Sequence, residues 1–168
     1  LDEEVSIDDK VTTPAKRKQV DNVPSLIYHV TFQENNQSIK DKGLLKNKIP
    51  TFKRGMTGTN LFETKDLTFG FSNLEEATKW GIKMKIEKGK PVSIVTINTK
   101  GKTWEEDTAL TNDPFNPLST AIFTSEKIGP QDVTSVDNVT YKAGKPFDKD
   151  GKPFTEKSID TPAKRKQK

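Results

Sequence analysis

The chain contains one histidine, His29, inside a short apolar run. It stands in the stretch LIYHVTF, residues 26–32, whose β-branched and aromatic residues are typical of a strand. Histidine titrates close to neutral pH, so it can serve in a site as an acid, a base or a hydrogen-bonding group. A lone histidine near a strand end is nevertheless more often structural than catalytic. The role of His29 therefore has to be inferred from the residues around it in the chain.

Most other motifs that carry chemistry are absent or incomplete. The chain has no cysteine, which excludes disulfides and cysteine-ligated zinc. Thr96 stands where a phosphate-binding loop ending in the GKT of residues 101–103 would need its first glycine. No GxGxxG and no nucleophile-elbow sequence occurs. A Ser-His-Asp triad on His29 stays open, because any distant Ser and Asp could converge on it.

The hydrophobic pattern predicts a mixed α+β core around His29. After the first strand, QENNQSIKDKG is predicted as a short polar helix that stops at Gly43. A second helix is predicted over 73–89, with Asn73 and Glu76 as a capping-box pair. Its buried stripe is predicted from helical spacing to be Leu74, Ala77, Trp80, Gly81 and Met84. Further strands are predicted at 67–72, 91–98, 119–125 and 133–142, a long loop at 46–66 and a helical turn at 104–110.

Two identical heptapeptides flank this core. TPAKRKQ occupies residues 13–19 and again 161–167, and both copies lie in segments with few apolar residues. Such segments bury too little surface to offset the entropy of the chain. We therefore predict a flexible N-terminal arm over 1–22, an α+β domain over 23–142 and a basic C-terminal tail over 143–168. The heptapeptide fits a solvated linker, a localisation-like tag, a nucleic-acid contact or a processing site.

The net charge follows the same division of the chain. The total is +4, from 28 Lys and Arg against 24 Asp and Glu. Residues 143–168 carry eight basic and four acidic side chains, so the first 142 residues balance to zero. A neutral body suits a small soluble ligand better than bulk nucleic acid, whereas the basic tail is suited to phosphate.

The order of these motifs resembles the ADP-ribosyltransferase fold. The stretch IYHVTFQENNQSIKDKGLL is similar to the opening of the branch whose first motif is a histidine, with a helix that ends at Gly-Leu. The strand FGFSN, the helix LEEATKWG and the strand PVSIVTIN come next in the chain. AIFTSEKIGPQDVTSV is similar to the late strand and closing turn of these domains, with Gly129-Pro130 at the turn. The resemblance covers about residues 26–136 and implies a split β-sheet core with a few short helices.

The resemblance implies NAD as the ligand and gives roles to four residues. His29 would hydrogen-bond the ribose hydroxyls of NAD, and Thr31 would lie beside it. Phe71 and Ser72 would supply the middle motif, in which a ring stacks under the nicotinamide or a hydroxyl orients it.

The resemblance also implies a catalytic carboxylate. Cleavage of the bond between C1′ and nicotinamide passes through an oxocarbenium-like state, which a positioned carboxylate stabilises. The stretch where the family places this acid, residues 118–121, contains none, and Glu126 is the nearest candidate. Glu105, Glu106 and Asp107 are an alternative. A different chemistry on the same fold, such as 2′-phosphotransfer, or a binding-only protein also stays open.

Our first hypothesis is an NAD-dependent ADP-ribosyltransferase-like domain that transfers ADP-ribose to a macromolecular acceptor, without a metal. We expect a soluble monomer without membrane contact. We further expect an effector or toxin module that a phage or bacterium delivers into a target cell, because the sequence lacks an initial Met and carries two basic tags. The alternative is a non-enzymatic, virion-associated protein that binds nucleic acid or another partner through its TPAKRKQ arms.

Overall fold

Eight strands pair into one sheet in the part of the chain that the computed structural model describes, residues 18–44, 67–106 and 119–159. The strand order is β1-β5-β6-β3-β2-β4-β7-β8, and every registered pair is antiparallel. The strands are β1 (Lys18–Gln19), β2 (Leu26–Phe32), β3 (Thr68–Phe71), β4 (Val92–Asn98), β5 (Glu105–Glu106), β6 (Ala121–Thr124), β7 (Val133–Lys142) and β8 (Lys145–Phe147). With two α-helices beside this sheet, the predicted α+β fold is confirmed.

The two helices, α1 (Asn36–Lys42) and α2 (Leu74–Lys88), lie on opposite faces of the sheet. Alternate residues of a strand point to opposite faces, so each strand contributes to two cores. On the α2 face, Tyr28 and Val30 of β2 pack with Leu74, Ala77 and Met84 of the helix. On the α1 face, Ile27 of β2 packs with Ile39 of the helix and with Trp104 and Ile128.

Helix α2 begins and ends as the sequence predicts. The side chain of Asn73 accepts a hydrogen bond from the Glu76 backbone N–H at 2.9 Å, and Gly89 ends the helix in the left-handed conformation at φ 68°. The capping box is incomplete, because the Glu76 carboxylate accepts instead from Thr120 and from Ser119 before β6. The helix is thereby tied to the sheet through its first turn.

Two sequence predictions within the described residues differ from the structure. Trp80 is only partly buried, and it packs at the margin of the core with its ring centroid 5.6 Å from that of Phe71. Glu105–Glu106 form a strand, so the helical turn predicted over 104–110 is wrong for the described residues, because pairing with β1 and β6 sets the local conformation. The loop predicted at 46–66 and the rest of 104–110 lie outside the described residues.

The folded part extends beyond both boundaries predicted for the domain. At the start, Lys18–Gln19 add a strand from within the predicted arm. At the end, β8 pairs with β7, and Phe154 and Ile159 are buried in the core on the α2 face, although we assigned residues 143–168 to a tail. After β8 the chain turns at Asp148, whose side chain accepts hydrogen bonds from the backbone N–H groups of Asp150 and Lys152.

Candidate functional site

The sheet is split between its two central strands. Strand β2 pairs with β4 along all seven residues but has a single registered pair with β3, Tyr28 with Phe71. Gly70 permits this close approach, since a Cβ there would lie 2.7 Å from the Ile27 side chain. Beyond this pair, the second half of β2 and the first half of β3 separate. Strands that separate leave backbone groups without ladder partners, so a gap of this kind is suited to hold a ligand.

A cavity of about 250 Å³ lies at this gap. His29 and Thr31 of β2, Thr68 of β3 and Ile39 of α1 contribute on one side, and Val30, Phe32 and Met84 contribute on the other. Asn35, Ser38, Gly43, Leu44 and Leu67 complete the described lining. The cavity therefore lies between the elements that the sequence places around its single histidine.

His29 bridges the gap with its side chain. Its Nδ1 lies 2.6 Å from the Phe69 carbonyl oxygen of β3. A carbonyl oxygen only accepts, so Nδ1 carries the hydrogen, and in the neutral ring Nε2 is then an acceptor. Burial lowers the pKa of His29 below its ordinary 6.5, and the bond to the Phe69 carbonyl opposes this shift only in part. At neutral pH the ring is therefore uncharged, with Nε2 able to accept from a hydroxyl or amide donor.

The other polar groups of the cavity are hydroxyls and an amide. Thr31 Oγ1 accepts a hydrogen bond from the Asn35 side-chain amide at 3.0 Å, which leaves its own proton to donate. Ser38 and Thr68 add two further hydroxyls. None of the described residues that line the cavity carries a carboxylate, ammonium or guanidinium group. The described lining therefore suits an uncharged polar group, such as a carboxamide or a sugar hydroxyl.

The wall behind His29 depends on a glycine at the end of α1. Gly43 has φ 79° and ψ −165°, a conformation that only glycine adopts readily. Its missing side chain lets the backbone pass beside Ile128 and Gly129, where a Cβ would overlap the Ile128 carbonyl oxygen. The next residue, Leu44, donates its N–H to that same oxygen at 2.9 Å. The chain thus uses Gly43 and Leu44 to fix α1 against the end of β6.

A buried polar contact holds the other end of α1. The Asn36 side chain donates to Asn138 Oδ1 of β7 at 2.6 Å, and the fully buried Ser93 of β4 donates to the same oxygen. The position of α1, and with it the side of the cavity that carries Ser38 and Ile39, is fixed at both ends.

The structure separates the predicted site residues into two groups. His29 and Thr31 share the cavity. Phe71 points to the α2 face, where it is buried beside Trp80, and Ser72 comes next with its backbone N–H directed to the Thr120 carbonyl. Neither Phe71 nor Ser72 is part of the described lining of the cavity.

Glu126, the predicted acid, lies on an exposed turn after β6. Its carboxylate accepts a hydrogen bond from the Thr103 backbone N–H, and it is not part of the described cavity lining. Glu105 and Glu106 lie in β5, two strands from β3 in the sheet order, and Asp107 falls outside the described residues. The assignment of an acid therefore stays a prediction.

Comparisons with known proteins give a fold and no family. No protein-family model matches the chain, and no curated protein matches it. Among solved structures, EcPltA is similar with a TM-score of 0.50 and 12% sequence identity, over 74% of this chain and 82% of that chain. At this identity the likeness shows the fold alone.

Several residues of the cavity were not predicted from the sequence. Asn35, Ser38 and Thr68 belong to it, and Gly43 was predicted only as a helix stop. Strand alternation was the available signal for Thr68, because it puts Thr68 on the face opposite to Phe71 and therefore on the face of His29. Asn35 and Ser38 gave no comparable signal, since short polar helices usually face water.

A second cavity, of about 450 Å³, lies between α2 and the C-terminal segment. Ile82, Pro146 and Phe154 line it together with charged residues at its margin. It is larger than the cavity at His29 but has no buried titratable group directed into it. We therefore assign the candidate site to the gap between β2 and β3.

Two further kinds of site are absent from the described ranges. No group of three or more His, Cys, Asp or Glu residues within residues 18–44, 67–106 and 119–159 is arranged to hold a metal ion. Across those same ranges, no helix combines the length and the apolar character that crossing a membrane requires.

Proposed function

We propose that the cavity at His29 binds the nicotinamide–ribose half of NAD, and that the domain transfers ADP-ribose to a macromolecular acceptor as an effector or toxin module. The observation that carries the proposal is the position of His29, which bridges the split in the sheet with Nδ1 and leaves Nε2 as an acceptor. The resemblance of the motif order to ADP-ribosyltransferases supports it, and so does the similarity of the fold to that of EcPltA.

The size and polarity of the cavity fit part of a dinucleotide. Sites that enclose a whole drug-sized ligand occupy about 300–1,000 Å³, and the cavity at His29 has about 250 Å³. It would hold an uncharged carboxamide and its ribose, with His29 Nε2 accepting from a ribose hydroxyl and the Thr31, Ser38 and Thr68 hydroxyls available to the carboxamide. The pyrophosphate and the adenosine would extend beyond the described lining.

The proposed reaction breaks one bond and forms one. The C1′–nitrogen bond of NAD breaks, nicotinamide leaves with the bonding electron pair, and C1′ bonds to a nucleophilic atom of the acceptor, which releases its proton to water. A carboxylate near C1′ would stabilise the positive charge that develops. Glu126 remains our predicted acid, and a Glu126→Gln variant that retains full turnover would remove it from this role.

The test uses two variants, each of which keeps a hydrogen-bonding group at the position of one of the two ring nitrogens of His29. The amide nitrogen of His29→Asn can replace Nδ1 in the bond to Phe69, but the variant has no acceptor at the position of Nε2. The amide oxygen of His29→Gln reaches the position of Nε2 and the variant gives up the Phe69 bond. We expect titration calorimetry to show NAD binding about tenfold weaker in His29→Asn, as for one lost hydrogen bond, and a smaller loss in His29→Gln.

Nicotinamide release then separates binding from catalysis. Release by the wild-type chain, reduced in His29→Asn and unchanged when both TPAKRKQ copies are deleted, supports the proposal. A folded wild-type chain that does not bind NAD, or a His29→Asn variant that binds it as tightly as wild type, contradicts it. Steeply salt-dependent nucleic-acid binding that disappears with the heptapeptides would support the alternative function instead.

A further inference from the structure

The repeated heptapeptide takes part in the sheet. Lys18 and Gln19, the last two residues of its first copy, form β1 at the sheet edge. They pair with β5 so that Lys18 lies opposite Glu106 and Gln19 opposite Glu105. A basic segment therefore adds a strand beside two consecutive glutamates, and opposite charges at facing strand positions favour pairing.

The second copy has the same means of pairing. Residues 161–167 repeat all seven residues of 13–19, so Lys166 and Gln167 can take the positions of Lys18 and Gln19. Main-chain hydrogen bonds supply much of the affinity of an added strand, and facing side chains supply its specificity. The described chain thus offers one acidic strand, β5, to two identical basic ligands.

The first copy is the favoured occupant because an apolar residue, Val20, comes directly after it. Val20 donates its backbone N–H to the Trp104 carbonyl at 2.9 Å and packs with Val23 against the core around Trp104. Lys168 comes after the second copy, at the position that corresponds to Val20. A lysine cannot supply the same apolar contact, so we expect β5 to favour the first copy over the second.

The second copy can reach β5 within the same chain. Glu156 lies beside Tyr28 of β2, where it raises the pKa of the tyrosine after the larger effect of burial. The place of β1 beside β5 is four strands from β2 in the sheet order, and four strand spacings amount to about 19 Å. Residues 156–158 form a 3-10 turn and Ile159 is buried, so the free length begins at Ile159. The seven residues from Ile159 to Lys166 can span up to about 23 Å when extended.

We propose that β5 is a docking edge for the TPAKRKQ heptapeptide, and that residues 161–167 of the same chain exchange with residues 13–19 at this edge. The exchange releases the first heptapeptide from the sheet while the edge stays covered. An edge strand without a partner is a template for association with other chains, and a second covering segment suppresses it.

The test compares four full-length proteins: the wild type, a variant with residues 13–19 scrambled, one with 161–167 scrambled, and one with both scrambled. Binding of a fluorescent TPAKRKQ peptide is measured by anisotropy, beside a peptide of the same composition in scrambled order. We expect the doubly scrambled protein to bind the TPAKRKQ peptide at least about tenfold more tightly than the other three, since a tethered copy competes at high effective concentration. Replacing Glu105 and Glu106 by Gln in that protein should abolish the difference between the two peptides.

Amide hydrogen exchange over residues 103–106 provides a second measurement without a peptide. Protection should persist in each singly scrambled protein and be lost in the doubly scrambled one. The proposal is overturned if the protein scrambled only at 13–19 matches the doubly scrambled protein in both measurements, or if the scrambled peptide binds equally well. Concentration-dependent dimers of the protein scrambled at 13–19 would assign the docked segment to a neighbouring chain and overturn exchange within one chain.

Discussion

Replacing Gly43 by alanine tests whether the wall of the cavity depends on this one backbone position. Two costs arise in Gly43→Ala. A non-glycine residue in the backbone region of Gly43, with positive φ and ψ near 180°, costs about 1–3 kcal/mol, and forcing an extra methyl group into packed surroundings costs about 1–3 kcal/mol. The added Cβ meets backbone rather than a flexible side chain, with the Gly129 carbonyl carbon 2.6 Å away. The bond from Leu44 to the Ile128 carbonyl, at 2.9 Å, must lengthen as the chain moves.

Gly89 is the control for this variant. It ends α2 in the left-handed region at φ 68° and ψ 24°, whereas Gly43 combines φ 79° with ψ −165°, and a Cβ at Gly89 meets no atom within 4 Å. Gly89→Ala should therefore cost about 1–2 kcal/mol for its left-handed backbone alone, whereas Gly43→Ala should cost about 2–6 kcal/mol in the free energy of unfolding.

Urea denaturation of both variants measures this difference. We expect the transition midpoint to fall in both, with a clearly larger decrease for Gly43→Ala and an unchanged dependence on urea. Nicotinamide or NAD binding, if present in the wild type, should weaken only in Gly43→Ala. Equal losses of stability in the two variants would refute the reasoning, because neither the backbone conformation of Gly43 nor its contact with Ile128 and Gly129 would then add to the cost.

Three further predictions concern the packing and titration of the same fold. Gly81→Ala places a Cβ 2.5 Å from the Tyr141 hydroxyl, which donates to the Thr78 carbonyl at 3.0 Å. Thermal unfolding should show that the free energy of unfolding decreases by about 1–3 kcal/mol, and adding Tyr141→Phe should restore part of this decrease. Glu76→Ala removes the acceptor of Ser119 and Thr120 and should cost about 1.5–3 kcal/mol in urea denaturation, whereas the exposed neighbour Glu75 changed to alanine should cost much less. Stability should fall as the pH decreases through 6.5, because the unfolded chain then takes up a proton at His29 that the folded chain, with its lowered His29 pKa, resists. Stability should also fall as the pH rises above 10, because burial raises the pKa of Tyr141 and Tyr28 in the folded chain. The His29→Asn variant should lose only the decrease at acidic pH.

The sequence predicted those elements whose conformation depends on local pattern. The strand predicted at residues 26–32 has those bounds in the structure, and Asn73 and Gly89 delimit α2 as their residue types require. Strand β5 could not be predicted in this way, because two consecutive glutamates have low strand propensity and are extended only through pairing on both sides. The C-terminal boundary failed for a related reason. Phe154 and Ile159 are isolated apolar residues in a charged segment, and their burial depends on the groove that the distant strands create.

The sequence grouped two residues that line the candidate cavity because they lie in one strand. His29 and Thr31 were identified together because they lie two residues apart in β2 and so share a face. Phe71 was assigned to the same site from the motif order, but it is the partner of Tyr28 in the register and therefore faces the other core. The β3 residue that lines the candidate cavity is Thr68. Alternation within β3 places it on the face opposite to Phe71, but its position near His29 also depends on the register of the two strands.

The separation of β2 and β3 and the hydrogen bonding of His29 depend on one another. Where β2 and β3 separate, the sheet loses ladder bonds, and an unpaired buried carbonyl is costly. The His29 ring replaces one of these bonds by donating from Nδ1 to Phe69, so the same contact that stabilises the split also fixes Nε2 as an acceptor toward the cavity. A histidine with only a structural role would need only the Phe69 bond, and His29→Asn would then preserve all of its contribution. A ligand-binding histidine needs both nitrogens, so loss of NAD binding in a fully stable His29→Asn protein distinguishes the two roles.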